Sequence, residues 1–414
     1  MTTYLDSGPR TLFELPPGLA ASTPPEARGL GRDEVRLLVA RPAGMRHSIF
    51  HDLGESLSPG DLLVVNTSLT RPAAVDGVRA HRRPVVVHFS TLRDDGTWVV
   101  EFRADKGRPP MSDVEPGEII ELPDGMRLKV LDAHPGPRPE GSRLWRVRPG
   151  GPIEPFLAAN GRPIAYDYVH GRWPLSAYQT VFGREGASAE MPSAARPFSQ
   201  RLVTELVARG VNFAPIVLHC GVSSLEAGEP PQDERFRVAP ASAWLVNQTR
   251  AAGGRVIAVG TTAARALETV ARDDGSVSAG EGWTDLVLGP GRPTRTIDGL
   301  ITGWHQPGAS HLSLLEAVAG PDLVQRAYDT AIAAGYLWHE FGDSCLFLPD
   351  RRGRGLGTAA SSLRGLRQGS HPVAGVPCEP HLPASAEQLE SQSHNRLIDP
   401  GGTRERVDPK LDFA

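Results

Sequence analysis

The sequence predicts a mixed α/β fold: a largely parallel sheet with helices on both faces, interrupted by an inserted small β-barrel domain. Three observations predict it. From Tyr166 to Pro349, short apolar runs alternate with amphipathic segments of helical period, the texture of a parallel sheet covered by helices. The run Asp61 to Val65, far upstream, is of the same strand type and should join that sheet. Between them, Pro72 to Ala159 reads as short strands and turns with no convincing helix.

The elements follow in chain order. Within the inserted segment, Val85 to Phe89, Thr97 to Arg103, Glu118 to Leu122, Arg127 to Leu131 and Arg143 to Val147 are rich in β-formers. Asp95-Gly96 and Asp124-Gly125 sit between them, where hairpin turns are favoured. Pro197 to Arg209 predicts a helix, because Phe198, Leu202 and Leu206 share a face, Pro197 suits a first turn and Gly210 suits the stop. Phe213 to Leu218 and Val256 to Val259 predict strands. Helices are expected at Ala263 to Ala271, His311 to Val318 and Asp322 to Ala334, and a closing strand at Ser344 to Leu348. The expected domains are 1–71 with 160–349 as a discontinuous α/β catalytic domain, 72–159 as the barrel, and 350–414 as a disordered tail. That tail is dominated by Gly, Ser, Pro and charge and lacks apolar periodicity. Its Gly353-x-Gly355-x-Gly357 spacing follows no suitable strand, so low complexity is the better reading than a phosphate loop.

Bulk properties set limits. The 414 residues can bury two cores. No apolar run approaches the ~20 residues of a membrane span, and the N-terminus lacks the pattern of a secretory signal. Cys220, Cys345 and Cys378 have no CxxC spacing, which suits a cytoplasmic protein and argues against structural zinc. The net charge of −4 lacks the basic surplus usual for phosphate-dominated RNA binding.

Five places could carry chemistry. Val256 to Glu268 reads as a strand ending at Gly260 and a helix opened by Thr261 and Thr262. Free N–H groups there can hold a carboxylate, phosphate or ribose oxygen; a plain N-cap is the competing reading. Arg265 and Glu268 lie three apart and can pair on one helical face. His219, followed by Cys220 and Gly221, ends a strand, where α/β sheets gather ligands; a histidine there can move protons, although an isolated one is more often structural. Asp298, Thr302, Trp304 and His305 cluster around a turn and a short apolar pair. Tyr178-Gln179 and the small-residue loop at Ser193, which runs into a helix, are further candidates. No helical HxxxH supports metal ligation, and neither a GxSxG elbow nor a Walker loop occurs.

Several of these stretches resemble, in order, the S-adenosylmethionine:tRNA ribosyltransferase-isomerase family of queuosine biosynthesis. Gly60 to Asn66 resembles its GDLLVxN strand and Pro72-Ala73 its PA. Tyr178 to Val181 matches YQTV, and Leu218 to Gly221 matches LHxG. Gly260-Thr261-Thr262 with Arg265, Leu267 and Glu268 fits GTTxxRxLE, and Thr284-Asp285 its TD. Asp298 to Thr302 with His305 and Pro307 fits DGLITxxHxP. Ala327-Tyr328, Ala331-Ile332, Tyr336 and Gly342-Asp343 fit AYxxAI…Y…GD. The resemblance spans about Leu12 to Pro349 and implies an α/β domain interrupted by a barrel.

It also implies a reaction. AdoMet is consumed as a ribosyl donor, its ribosyl group passes to a 7-aminomethyl-7-deazaguanine in tRNA, and epoxyqueuosine forms with release of adenine and methionine. No metal is needed. At the matching positions, His219 and His305 are the expected proton-transfer groups, with Asp298 orienting a ribose hydroxyl or a histidine. Thr261, Thr262 and Arg265 are expected to hold the methionine carboxylate or a ribose oxygen. Asn66, Tyr178, Gln179, Ser193, Gly221, Glu268 and Thr302 complete the expected AdoMet site. The chain departs from the family at three motifs. NDTRVIPAR is replaced by Asn66 to Ala74, which loses an acid and two arginines. PTAGLHF is replaced by Pro192 to Phe198, which puts Pro197 in place of a histidine. NFHLPKSTLLML is replaced by Gly303 to Leu314, which loses a lysine. These changes and the net charge weigh against tRNA as partner. They leave open a paralogue with a small-molecule acceptor and a non-catalytic nucleoside- or RNA-binding protein.

Overall fold

The computed structural model describes residues 8–104, 109–136, 142–222, 229 and 231–350. The chain begins with β1 (Arg36–Arg41), β2 (Gly44–Ile49), β3 (Leu62–Asn66) and β4 (Ser68–Thr70). Six strands follow: β5 (Ala74–Val78), β6 (Pro84–Leu92), β7 (Trp98–Arg103), β8 (Ile119–Glu121), β9 (Arg127–His134) and β10 (Leu144–Pro149). Then come α1 (Ile153–Asn160), β11 (Glu185–Ser188), α2 (Gln200–Ala208), β12 (Asn212–Leu218), β13 (Glu234–Val238) and α3 (Pro240–Ala251). The chain continues through β14 (Val256–Val259), α4 (Thr261–Thr269), β15 (Gly280–Thr284) and β16 (Gly299–Thr302). It closes with α5 (Ser310–Ala319), α6 (Pro321–Ala333) and β17 (Ser344–Phe347).

Nine strands form one mixed sheet in the order β15-β13-β12-β3-β14-β16-β17-β1-β2. Its centre, β12-β3-β14-β16, is parallel. Antiparallel ladders join β13 and β15 at one edge, β2 at the other, and β16 to β17. Both faces are covered, so the central strands read as continuous apolar runs without polar alternation. The pleat still sorts them. Leu62, Val64, Val256, Ala258 and Leu300 pack under α3 to α6, while Leu63, Val65, Ile257, Val259 and Ile301 pack against α2.

The inserted strands close into a six-stranded antiparallel barrel, β10-β7-β6-β5-β8-β9. Its core joins Val87, Phe89, Val100 and Phe102 to Tyr166, Ala189 and Val222 from the α/β part, which seats the barrel beside the sheet. The expected absence of helix between Pro72 and Ala159 is corrected by α1. Ile153, Phe156 and Leu157 turn one helical face inward behind Gly150-Gly151-Pro152, a run too short for its period to stand out. Asp124-Gly125 is a single 3-10 turn, with Asp124 left-handed at φ 55°. The stretch expected to be a disordered tail lies, beyond Asp350, outside the described residues.

Candidate functional site

A cavity of about 250 Å³ opens at the carboxyl edge of the parallel strands β12, β14 and β16, where crevices in open α/β sheets form. Gly260 builds its floor. Its φ of 95° turns the chain sharply from β14 into α4, a conformation natural to glycine. Thr261 and Thr262 then line the cavity. Their N–H groups, like that of Ala263, have no partner within the helix, and no side chain caps this end. Helix α5 also starts at the cavity, with Ser310 and His311 in its wall.

Of the residues expected from sequence, Thr261, Thr262, Arg265, Gly221, Thr302, Ser193, Tyr178 and His305 line this cavity. Some serve it indirectly. Arg265 is buried, and its guanidinium donates to Glu234 Oε2 at 2.7 Å and to the carbonyls of Leu286, Thr284 and Gln232. Four of its five N–H donors are therefore committed to holding β13 and the 284–286 segment against α4. Gly221 donates its N–H to Glu234 Oε1 at 2.9 Å. A Cβ here would stand 2.7 Å from Ser90 Oγ of the barrel, so only glycine lets the two parts approach this closely. Tyr178 packs on Phe341, and burial raises its hydroxyl pKa.

The other five expected residues lie outside the cavity, and each has a physical reason. His219 follows β12, and the pleat turns it away from Leu218 and Cys220. Its Nδ1 is 2.8 Å from Ser68 Oγ, which is 2.6 Å from Ser188 Oγ. Burial and the charges of Arg71, Arg235 and Arg237 push its pKa down to about 4. Asp298 precedes β16, so it sits at the amino edge, where its backbone N–H and carboxylate pair with both backbone groups of Val256. Glu268 faces the 295–297 loop and accepts the N–H groups of Arg295, Thr296 and Ile297 at 2.8, 2.9 and 3.1 Å. It does not pair with Arg265. Asn66 is fully buried and clamps β3 to Leu218, Ser68 and Thr262. Gln179 bonds both backbone groups of Thr70. Pro197, where the resemblance expected a histidine, is buried away from the cavity as well.

The structure adds residues that sequence did not single out: Glu234, Glu340, His311, His339, Tyr166 and Tyr168, together with Glu190, which sequence noted only as the start of a loop. His305 stacks on His311 at 4.5 Å and 5°. Burial, with the two neighbouring histidines, holds the His305 pKa well below its ordinary value. Burial also lowers His311 and His339 to about 4 each. The Thr302 Oγ1 lies 3.1 Å from the Gly303 carbonyl and 3.0 Å from His305 Nε2. His305 therefore offers a neutral ring with one nitrogen free to accept a hydrogen bond. Glu340 differs: burial and the charge of Glu190 raise it to about 7, opposed by the hydrogen bond from Tyr168. Burial raises Glu234 as well, against the pull of Arg265.

Residues 10–347 match the family described as queuosine biosynthesis protein. An S-adenosylmethionine:tRNA ribosyltransferase-isomerase of Symbiobacterium thermophilum is 36% identical over 347 residues, covering 81% of this chain and 98% of that protein. The protein of the same name from Moorella thermoacetica is 37% identical over 349 residues, with the same coverage. A solved S-adenosylmethionine tRNA ribosyltransferase of Thermotoga maritima is 27% identical, covers 82% of this chain and 99% of its own, and superposes with a TM-score of 0.45.

Proposed function

The chain belongs to the queuosine biosynthesis protein family as a ribosyltransferase-isomerase, and we propose that the cavity binds AdoMet and passes its ribosyl group to the aminomethyl group of a deazaguanine in tRNA. Adenine and methionine leave, and the sugar is rearranged to the epoxide of epoxyqueuosine. The observation that carries the reading is the uncapped start of α4 at Gly260-Thr261-Thr262, lodged in a cavity at the strand ends. It provides a seat for the methionine carboxylate, held by N–H groups that nothing else in the helix can use.

The remaining roles follow from the wall. The stacked pair His305 and His311, held neutral, packs against a nucleoside base and accepts hydrogen bonds from it. At pH 7 neither is an acid. Arg265 and Glu234 act on the ligand through the elements they hold together. The net charge of −4 favours a second reading in which the amine acceptor is a small molecule.

The test is incubation with AdoMet, with and without tRNA carrying the aminomethyl-deazaguanine precursor, followed by mass spectrometry. Adenine, methionine and epoxyqueuosine together support the reading. Cleavage of AdoMet with unmodified tRNA supports the small-molecule acceptor. No cleavage in either case refutes transfer to tRNA.

A further inference from the structure

The cavity has two chemically different walls. One carries the N–H groups at the starts of α4 and α5. The other is aromatic and acidic. The Tyr168 ring lies flat on His339, with centroids 3.8 Å apart and planes 13° apart. Tyr166 stacks on Tyr168 at 6.1 Å. The Tyr168 hydroxyl donates to Glu340 Oε2, and the Tyr166 hydroxyl donates to Glu190 Oε1. Among the described residues that line the cavity, the one guanidinium is Arg265, which Glu234 and three carbonyls hold in place. Such a wall repels an anion and suits a cationic group carried on a planar ring.

The backbone is arranged to present this wall. In an extended chain, successive side chains point to opposite sides. His339 and Glu340 lie instead in a turn closed by Gly342 N–H on the His339 carbonyl, with His339 left-handed at φ 73°, and both line the cavity. A non-glycine residue there stores on the order of 1–3 kcal/mol, and such strain tends to collect at functional sites.

A primary aliphatic amine is almost wholly protonated at neutral pH, with a pKa near ~10, and cannot attack carbon until it loses a proton. We propose that Glu340, aimed by Tyr168 and His339, is the general base that takes this proton from the acceptor's ammonium group. In that step an ammonium N–H bond breaks, its electron pair stays on nitrogen, and an O–H bond forms on the Glu340 carboxylate. The neutral amine then uses that pair to form the C–N bond to the ribosyl group, while the bond from the attacked carbon to its leaving group, adenine or methionine, breaks and its electron pair departs with that group. Tyr168 and His339 are positioning residues. The titratable and charged groups facing Glu340 are Tyr168, Glu190, His339 and Tyr178, with Arg196 beyond Tyr178. The balance among them leaves Glu340 near 7, where a general base works best at neutral pH. The inference rests on the ribosyl-transfer reading above.

The experiment is the pH profile of kcat/KM for precursor tRNA, with AdoMet affinity measured separately by calorimetry. The wild type should show activity rising through an acidic limb near pH 7. E340Q should lose ~10²–10⁴-fold in turnover and lose that limb, while binding AdoMet within about threefold of wild type. Y168F keeps the ring on His339 but removes the hydrogen bond that favours the carboxylate, so its limb should move to higher pH. If E340Q does not fold, the Y168F profile decides alone. An acidic limb that persists unchanged in E340Q, or does not move in Y168F, overturns the proposal. So does a loss of AdoMet affinity in E340Q as large as the loss of turnover, because Glu340 would then serve the sulfonium donor. A wild type that forms no epoxyqueuosine refutes the functional reading itself and this inference with it.

Discussion

Replacing Glu101 with Gln should destabilise the barrel by several kcal/mol at pH 7, with a defined loss of that effect in acid. Glu101 is fully buried on β7. Its Oε1 accepts from Arg143 Nη1 at 2.6 Å, and its Oε2 accepts from Arg103 Nε at 2.5 Å and lies 3.2 Å from His88 Nδ1. Burial works against its charge, but the hydrogen bonds from His88 and Arg103 and the charge of Arg143 hold its pKa down at about 2. Against 4.5 for an ordinary glutamate, that amounts to ~3 kcal/mol of preference for the charged form. Glutamine removes the carboxylate charge that Arg103 and Arg143 share, while Arg143 keeps Glu229 at 3.1 Å; losing one member of a buried ionic cluster typically costs about 3–5 kcal/mol. The pKa is lowered in the folded state, so the contribution is complete above about pH 4.5 and drains away as pH falls toward 2. By pH 3 about 2 kcal/mol should be gone. Urea titrations of wild type and E101Q at pH 7 and pH 3 measure both quantities. A penalty below about 1 kcal/mol at pH 7, or a penalty equal at the two pH values, would refute the reasoning.

Three further outcomes follow from the site. His219→Ala should leave AdoMet affinity and turnover within about threefold of wild type, because the ring sits on Ser68 outside the cavity; a loss of ~10²-fold or more would put it back in the chemistry. Arg265→Lys keeps the charge but cannot reach Glu234 and all three carbonyls at once, so it should cost about 1–3 kcal/mol in denaturant stability; unchanged stability with weakened AdoMet binding would make Arg265 a ligand contact instead. Thr261→Pro removes one N–H at a helix position that tolerates proline, so helicity by circular dichroism should hold while the Kd for AdoMet rises about tenfold, the worth of one hydrogen bond to a charged group. An unchanged Kd would move the carboxylate elsewhere.

How much of this was legible in the sequence depends on strand direction. The central strands were plain because burial on both faces leaves unbroken apolar runs such as Leu62 to Val65 and Val256 to Val259. The glycine-threonine start of α4 was plain because a strand, a turn and a helix meet there within a few residues. His219 and Asp298 lie outside the cavity for reasons that motif spacing does not carry. A one-residue step in an extended chain reverses the face, which turns His219 toward Ser68 while Leu218 and Cys220 enter the core. Asp298 enters its strand where the cavity lies at the exit. The acidic wall was missed for the converse reason. Residues that precede a strand normally lie at the amino edge of a parallel sheet, far from a ligand. Here β13 runs antiparallel to β12, and β17 runs antiparallel to β16. The segments entering those two strands therefore arrive at the edge where β12 and β16 leave. That reversal, invisible to local periodicity, carries Glu234 and the pair His339 and Glu340 into the cavity. It places carboxylates opposite the helix starts, so a single cavity can hold a carboxylate at one side and an amine at the other.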